Sequence, residues 1–405
     1  MSKVYNRKDF LKHKNFCLYP FTQLYCLSTP DGFRVKPCCE TLEKDEMYTK
    51  MISSIKNHDF LKDTRKHFID DKPLPEMCCR CIEDETASDG KDSRRLNRLS
   101  SNIDFTFEVN DDGELLSEVQ DLDLRPSNTC NLKCIMCNPW DSSKWGEDID
   151  IYGEVFLKLS KQDDLENLKK EINKAKQYTD WEELLGLVGY LKRIFSAGGE
   201  PFYMKNALAF LQTLVDLEVA SNIILEITTN AVSINDTLIS LLEQFKEVNI
   251  TISIDGIEDV NYIIRYPTEW SAFCLNINLL YNKFPNQIYF NNTVSALNLL
   301  DTLNIVDFTN KYKGSNITLG RCVEPELLDV NSLKPEIIDR FSGLLKLERS
   351  FYNSSVSDSQ NNWYNLLIDG YRYNDENNKK MKTFLGKLDK KRNTNSKDVL
   401  PWCWV

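Results

Sequence analysis

From about Val119 onward, apolar positions follow two alternating rhythms. Short runs repeat every second residue, as strands with one buried face do, and longer runs repeat at three- and four-residue steps, as amphipathic helices do. "VQDLDLRPS" (Val119 to Ser127) predicts a first strand, and "LKRIFSAGGEP" (Leu191 to Pro201) predicts a second that runs into a glycine turn. "NALAFLQTLVDLEVA" (Asn206 to Ala220) reads as an apolar helix, "NIILEITTNA" (Asn222 to Ala231) as a β-branched strand and "TLISLLEQF" (Thr237 to Phe245) as a helix. Three more strands follow, in "EVNITISIDG" (Glu247 to Gly256), "IYFNNTVSALN" (Ile288 to Asn298) and "SNITLGRCV" (Ser315 to Val323). Strands alternating with helices imply right-handed parallel β/α units. Six of them predict an α/β fold, a partial (β/α)6 TIM-like barrel with its chemistry at the C-terminal ends of the strands.

The flanks read differently. Between about Asn15 and Glu85 lie seven cysteines, a turn signal in "TPDGF" and a short alternating strand in "FRVKP" before Cys38. This predicts a small, metal-stapled N-terminal module with little core of its own. The polar "DETASDGKDSRR" (Asp84 to Arg95) reads as a linker. Phe156 to Leu191 is helical in pattern, a long insertion that decorates the barrel or serves as a lid. From about Asn331 the chain is polar and helical, an extension expected to cap the bottom or side of the barrel. The expected modules are 1–100, 115–330 and 331–405.

The composition is that of a globular protein, with 405 residues, 41% hydrophobic and 27% charged. A net charge of −11 argues against nonspecific nucleic-acid binding. The basic run "DKKRN" (Asp389 to Asn393) reads as a solvated helix end. No run approaches the ~20 apolar residues of a membrane span, and the first residues lack the apolar stretch of a secretory signal. The chain therefore reads as cytoplasmic, without a membrane partner. Ten of its 13 cysteines fall at or before Cys137. In a reducing compartment such clustering points to metal binding rather than disulfides.

"SNTCNLKCIMCNPW" (Ser127 to Trp140) spaces Cys130, Cys134 and Cys137 as C-x3-C-x2-C. Three thiolates in a tight loop can hold three irons of a 4Fe–4S cube and leave the fourth open. The competing reading is a zinc knuckle completed by histidine, but His13, His58 and His67 all lie far upstream. The spacing, placed just after a strand, resembles that of the radical S-adenosylmethionine enzymes. "SAGGEP" is similar to that family's GGEP motif, and "EITTN", "ISIDG" and "DVNYIIR" follow in order. The resemblance spans roughly Val119 to Val323. It implies S-adenosylmethionine on the open iron, reductive cleavage to a 5′-deoxyadenosyl radical, and hydrogen abstraction from a substrate. It further implies cofactor contacts from Gly198, Gly199, Glu200, Pro201, Asn230, Ser253, Asp255 and Arg265, with Glu200 orienting the methionine ammonium. Read separately, the glycine turn is an ordinary strand-to-helix connection, and Asn230, Ser253 and Asp255 are strand-end caps. Met136 stands where that family often has an aromatic residue; its thioether can pack on adenine.

The upstream cysteines, in "CLYPF", "PDGFRVKPCCE" and "LPEMCCRCIEDE", resemble the auxiliary-cluster module called SPASM or twitch. That resemblance makes Cys17, Cys38, Cys78 and Cys81 the ligands of a second, auxiliary 4Fe–4S cluster. Here the module precedes the barrel instead of following it. Zinc is the rival metal for four cysteines. Cys26, Cys39 and Cys79 are left over as substitutes or buried thiols, and Cys274, Cys322 and Cys403 read as core thiols. The resemblance implies a peptide or protein substrate and a reducing donor such as flavodoxin or ferredoxin. The alternatives are a small metabolite, sugar or nucleotide substrate, or a non-enzymatic iron–sulfur or zinc scaffold.

Overall fold

The computed structural model describes residues 2–11, 13–29, 32–42, 47–87, 90, 93–151, 153, 165–174, 181–351 and 354–405. Strands β1 (Ser2–Asn6), β2 (Gln23–Thr29), β3 (Gly32–Arg34), β4 (Tyr48–Thr49) and β5 (Thr106–Asn110) come first, followed by β6 (Asp121–Arg125) and β7 (Arg193–Ser196). Then come β8 (Ile224–Thr229), β9 (Glu247–Ser253), β10 (Ile288–Val294) and β11 (Ile317–Arg321). β6 to β11 pair in parallel and in sequence order, which is the partial barrel the alternation predicts.

Along each strand successive side chains point to opposite faces. Leu122, Leu124, Ile194, Leu225, Ile227, Val248, Ile250, Ile252, Ile288 and Phe290 form one face of the main core. Helices Lys205–Asp216, Asp236–Leu242, Trp270–Lys283 and Thr302–Thr309 cover it with Phe210, Leu214, Leu242, Phe273, Ile277 and Ile305. The other face is polar, carrying Asp121, Asp123, Arg125, Arg193, Glu226, Thr228, Thr251, Ser253 and Asn291.

The N-terminal region differs from its expectation. β2 pairs in parallel with β6, Gln23 opposite Asp121 and Tyr25 opposite Asp123, so it continues the barrel sheet, and β3 and β4 extend it antiparallel. Leu24, Cys26, Phe33, Val35 and Ile55 join the main core. Nor does the region lack a core of its own: Phe10, Phe16, Phe21, Phe68, Phe105 and Phe107 form an aromatic cluster, with Phe10 and Phe16 stacked at 3.7 Å between centroids. The expected linker is largely helical where described, since helices Cys79–Ala87 and Arg94–Ser100 run into it from both sides. Of the insertion Phe156 to Leu191, helices Leu165–Lys174 and Trp181–Leu185 are seen; 156–164 and 175–180 lie outside the described residues.

The C-terminal extension packs on the same end of the barrel as the strand-end loops, not on its bottom. Helix Asp375–Arg392 presents Met381, Phe384, Leu385 and Leu388 at helical spacing to a second core that includes Ile135, Trp145 and Ile149 from the cysteine loop. Trp402 Nε1 donates to the carbonyl of Ala296, just past β10, at 3.1 Å.

Candidate functional site

The cysteine loop leaves the C-terminal end of β6 and is held from several sides. Lys133 N donates to the carbonyl of Tyr266 at 2.9 Å, and Ile135 N to that of Ile264 at 2.7 Å, so the loop runs along the segment after β9. Asn128 Nδ2 bridges the carbonyls of Pro139 (2.9 Å) and Ile172 (3.0 Å). Trp145 is fully buried and donates from Nε1 to the carbonyl of Cys134 at 3.0 Å. These hydrogen bonds restrain the backbone that carries the thiols.

Cys130 is buried; Cys134 and Cys137 are half-buried. Burial pushes all three thiols up, Cys130 to about 12; Cys134 adds to the rise at Cys130, and both add to that at Cys137. The guanidiniums of Arg265 and Arg392 oppose that rise at Cys134. Leu132 N donates to Cys130 Sγ at 3.4 Å.

The GGEP turn packs beneath this loop. Gly198 and Gly199 have φ of +84° and +58°, and a Cβ on Gly199 would stand 2.5 Å from the Thr129 carbonyl oxygen and 2.9 Å from that of Ser127. Only glycine permits that approach. Glu200 N donates to the Thr129 carbonyl at 2.9 Å. The Glu200 carboxylate is fully buried and accepts from Thr229 Oγ1 (2.7 Å), Phe202 N (3.1 Å) and Asn230 N (2.6 Å). A carboxylate has about four acceptor positions, so Glu200 ties β7 to β8 and keeps room for one further donor. Burial raises its pKa, against the pull of these hydrogen bonds and of Arg265. Pro201 is buried behind the turn.

Asn230 Nδ2 donates to Asn131 Oδ1 at 2.7 Å and lies 3.9 Å from Cys130 Sγ, which joins the end of β8 to the cysteine loop. Asp255 is buried; its Oδ2 pairs with Arg265 Nη1 at 2.7 Å and its Oδ1 accepts from Thr293 N at 2.9 Å. Arg265 Nε is buried without a protein partner among the described residues. Ser253 is half-buried at the end of β9, level with Asn291. Met136 is half-buried and packs toward the second core. The structure thus gathers Cys130, Cys134, Gly198, Gly199, Glu200, Asn230, Asp255 and Arg265 at one end of the barrel.

The sequence does not mark Asn131, Trp145, Asp148 or Arg392 as site residues. Asp148 is buried and pairs with Lys133 Nζ at 3.1 Å and with Arg392 Nε at 2.8 Å. Arg392 belongs to the run read as a solvated helix end. Its side chain is 2% exposed, because the apolar stripe of its helix carries it inward.

In the N-terminal region Cys17 faces Cys38, Cys78 and Cys81, each of which raises its thiol further beyond the effect of burial. Burial pushes Cys78 up to about 12, with Cys38 and Cys81 adding to it. Cys78 and Cys81 are three apart across a helix start and share a face. Cys39 lies elsewhere, beside Arg94, Asp123 and Arg125. Cys26 is a fully buried core thiol. Among the described residues no three Cys, His, Asp or Glu side chains gather closely enough to hold a single metal ion. A cube engages each thiolate through a different iron, so its ligands stand further apart than those of one ion.

No curated protein matches the chain. The family model described as "Radical SAM superfamily" matches residues 124–309. Among solved structures, native anSMEcpe with bound AdoMet and Cp18Cys peptide aligns at 17% identity with a TM-score of 0.37, over 63% of this chain and 62% of that one. Streptococcus suis SuiB bound to precursor peptide SuiA aligns at 13% identity with a TM-score of 0.34, over 75% of this chain and 64% of that one. This chain therefore spans less than two thirds of each. The superfamily's cofactors are a 4Fe–4S cluster and S-adenosylmethionine, and the three-thiol loop, the close-packed glycines and the unpartnered buried Arg265 Nε fit them. The family match runs from the end of the first of the six parallel strands to the helix after the fifth.

Proposed function

We propose that this chain is a radical enzyme that cleaves S-adenosylmethionine reductively at a 4Fe–4S cluster on Cys130, Cys134 and Cys137. When bound, the cluster would supply the electron that splits the sulfonium bond and so start the radical chemistry that takes a hydrogen from the substrate. The observation that carries this reading is the convergence of the three thiols with the GGEP turn, Asn230 and Arg265. Gly199 lets the cysteine loop close on the turn, and Gly198 leaves its backbone open to a ligand. Glu200 offers its remaining acceptor position to an ammonium, and Arg265, fixed by Asp255, offers Nε to a carboxylate. The polar sheet face, from Asp123 and Arg125 to Ser253 and Asn291, receives the substrate. On the resemblance of the N-terminal cysteines, that substrate is a peptide or protein, and the electron donor is a flavodoxin or ferredoxin.

We further assign Cys17, Cys38, Cys78 and Cys81 to an auxiliary 4Fe–4S cluster. Their mutual electrostatic influence supports that set over one containing Cys39. Anaerobic reconstitution followed by dithionite and S-adenosylmethionine tests the first assignment: 5′-deoxyadenosine should accumulate, and its absence from an iron-replete protein would refute the enzyme reading. Iron counting tests the second. The native protein should hold about eight irons, and Cys78→Ala/Cys81→Ala about four. Four irons in both, or zinc in place of the difference, removes the auxiliary cluster.

A further inference from the structure

Arg392 closes the helix Asp375–Arg392, which lies outside the matched family region, yet it is buried against the cysteine loop. Asn393, at φ +53°, ends the helix immediately after it. The guanidinium lies 5.1 Å from the ring centroid of Trp145 and 5.1 Å from that of Tyr266. Its Nε donates to Asp148 Oδ2 at 2.8 Å, which fixes the plane of the fork. Tyr266 OH in turn donates to the Arg392 carbonyl at 3.4 Å. Both rings belong to groups that hold the cysteine loop: Trp145 through the Cys134 carbonyl, and Tyr266 through the backbone of Lys133.

What the clamp leaves over is the informative part. Nη1 and Nη2 are both buried and have no hydrogen-bond partner among the described residues. An unpaired buried guanidinium end is costly, and structures seldom keep one without an anion to meet it. The carboxylate of Asp148 is engaged by Arg392 Nε and Lys133 Nζ, and Lys391 Nζ stands 4.0 Å from it. The charge of Arg392 is felt at Cys134, as is that of Arg265.

We propose that Arg392 is a positioning residue whose buried, unpaired guanidinium end, stacked on the ring that holds the Cys134 carbonyl, puts a fixed positive charge beside the cluster site, so that the C-terminal extension sets the reduction potential of the radical-forming cluster. This rests on the assignment of Cys130, Cys134 and Cys137 as cluster ligands. One-electron reduction makes the cluster more negative. A fixed cation beside it stabilises the reduced state and raises the potential.

The test reconstitutes the native protein, Arg392→Lys and Arg392→Gln anaerobically, counts iron, and titrates each against potential by electron paramagnetic resonance. Arg392→Gln should keep its iron and show about a tenfold lower reduced-to-oxidised ratio at a fixed potential, equivalent to about 59 mV for one electron. Arg392→Lys, which keeps the charge and loses the fork, should fall between. Full iron with an unmoved potential in both variants overturns the inference. So does equal loss of iron from both, which is what a purely structural clamp predicts. If Arg392→Gln alone loses iron, the Arg392→Lys potential decides in the same way. A native protein that takes up no iron at the three-cysteine loop would instead sink the cluster assignment itself.

Discussion

Cys130→Ala should abolish 5′-deoxyadenosine formation and remove the iron of the barrel site while leaving the protein folded. Cys130 offers a thiol to the same small region as Cys134, facing the end of β8 through Asn230. Two thiolates cannot replace three, because each engages a different iron of a cube. The fold should tolerate the change, since removing one small side chain beside an anchored loop costs about 1 kcal/mol. The loop's anchors at Tyr266, Ile264, Pro139 and Trp145 do not involve this side chain. Cys322→Ala is the matched control. Cys322 is equally buried and donates only to the Glu324 carbonyl, at 3.4 Å, so its loss should leave iron and turnover in place. Unchanged iron content and absorption spectrum in Cys130→Ala would remove the site from this loop.

Asp121→Ala should be the most destabilising single substitution on the polar face of the sheet, at about 3–5 kcal/mol. Asp121 is fully buried at the start of β6, with Arg193 Nη1 of β7 at 2.7 Å and Arg98 Nη2 of helix Arg94–Ser100 at 3.3 Å. Arg193 would keep Glu226 as partner. Arg98 would keep the rings of Tyr19 and Phe105, at 5.2 and 5.7 Å, and lose the carboxylate it pairs with. The measurement is the urea midpoint of the native protein and the variant. Asp121→Asn, which retains a hydrogen-bond acceptor, should lose less. Equal midpoints for Asp121→Ala and the native protein would show that the buried pair contributes nothing to holding the N-terminal region on the barrel.

The barrel was legible because its signals are local. Ile224 to Thr229 and Glu247 to Ser253 alternate cleanly, since one face meets helices and the other does not. The cysteine spacing and the glycine pair announce themselves within a few residues, because a tight thiol loop and a backbone cradle each need a fixed residue type at a fixed step. Partnerships formed at long range left no such trace. β2 precedes the strand it joins by nearly a hundred positions, and its own sequence, "QLYCLST", carries nothing that names β6. Arg392 stands in a lysine-rich helix end that composition marks as solvated; only its partner Asp148, 244 residues away, makes it a buried group. The role of Glu200 was half legible. The motif put it at the site, while two of the three hydrogen bonds that occupy most of its carboxylate come from the end of β8, thirty residues on.

The parallel pairing of β2 with β6 has a consequence for handling the protein. In the middle of a sheet, both rows of backbone N–H and C=O groups on a strand are engaged. β6 has β7 on one side and β2 on the other. A fragment cut to begin near the matched family region would lack β2 and leave β6 as a bare margin of five residues. Such a margin is a template on which a second chain can add its own strand. A shortened form would therefore tend to precipitate by strand addition even with every cysteine of the radical site intact. The N-terminal segment acts as a selvedge, finishing an edge that would otherwise unravel into other molecules.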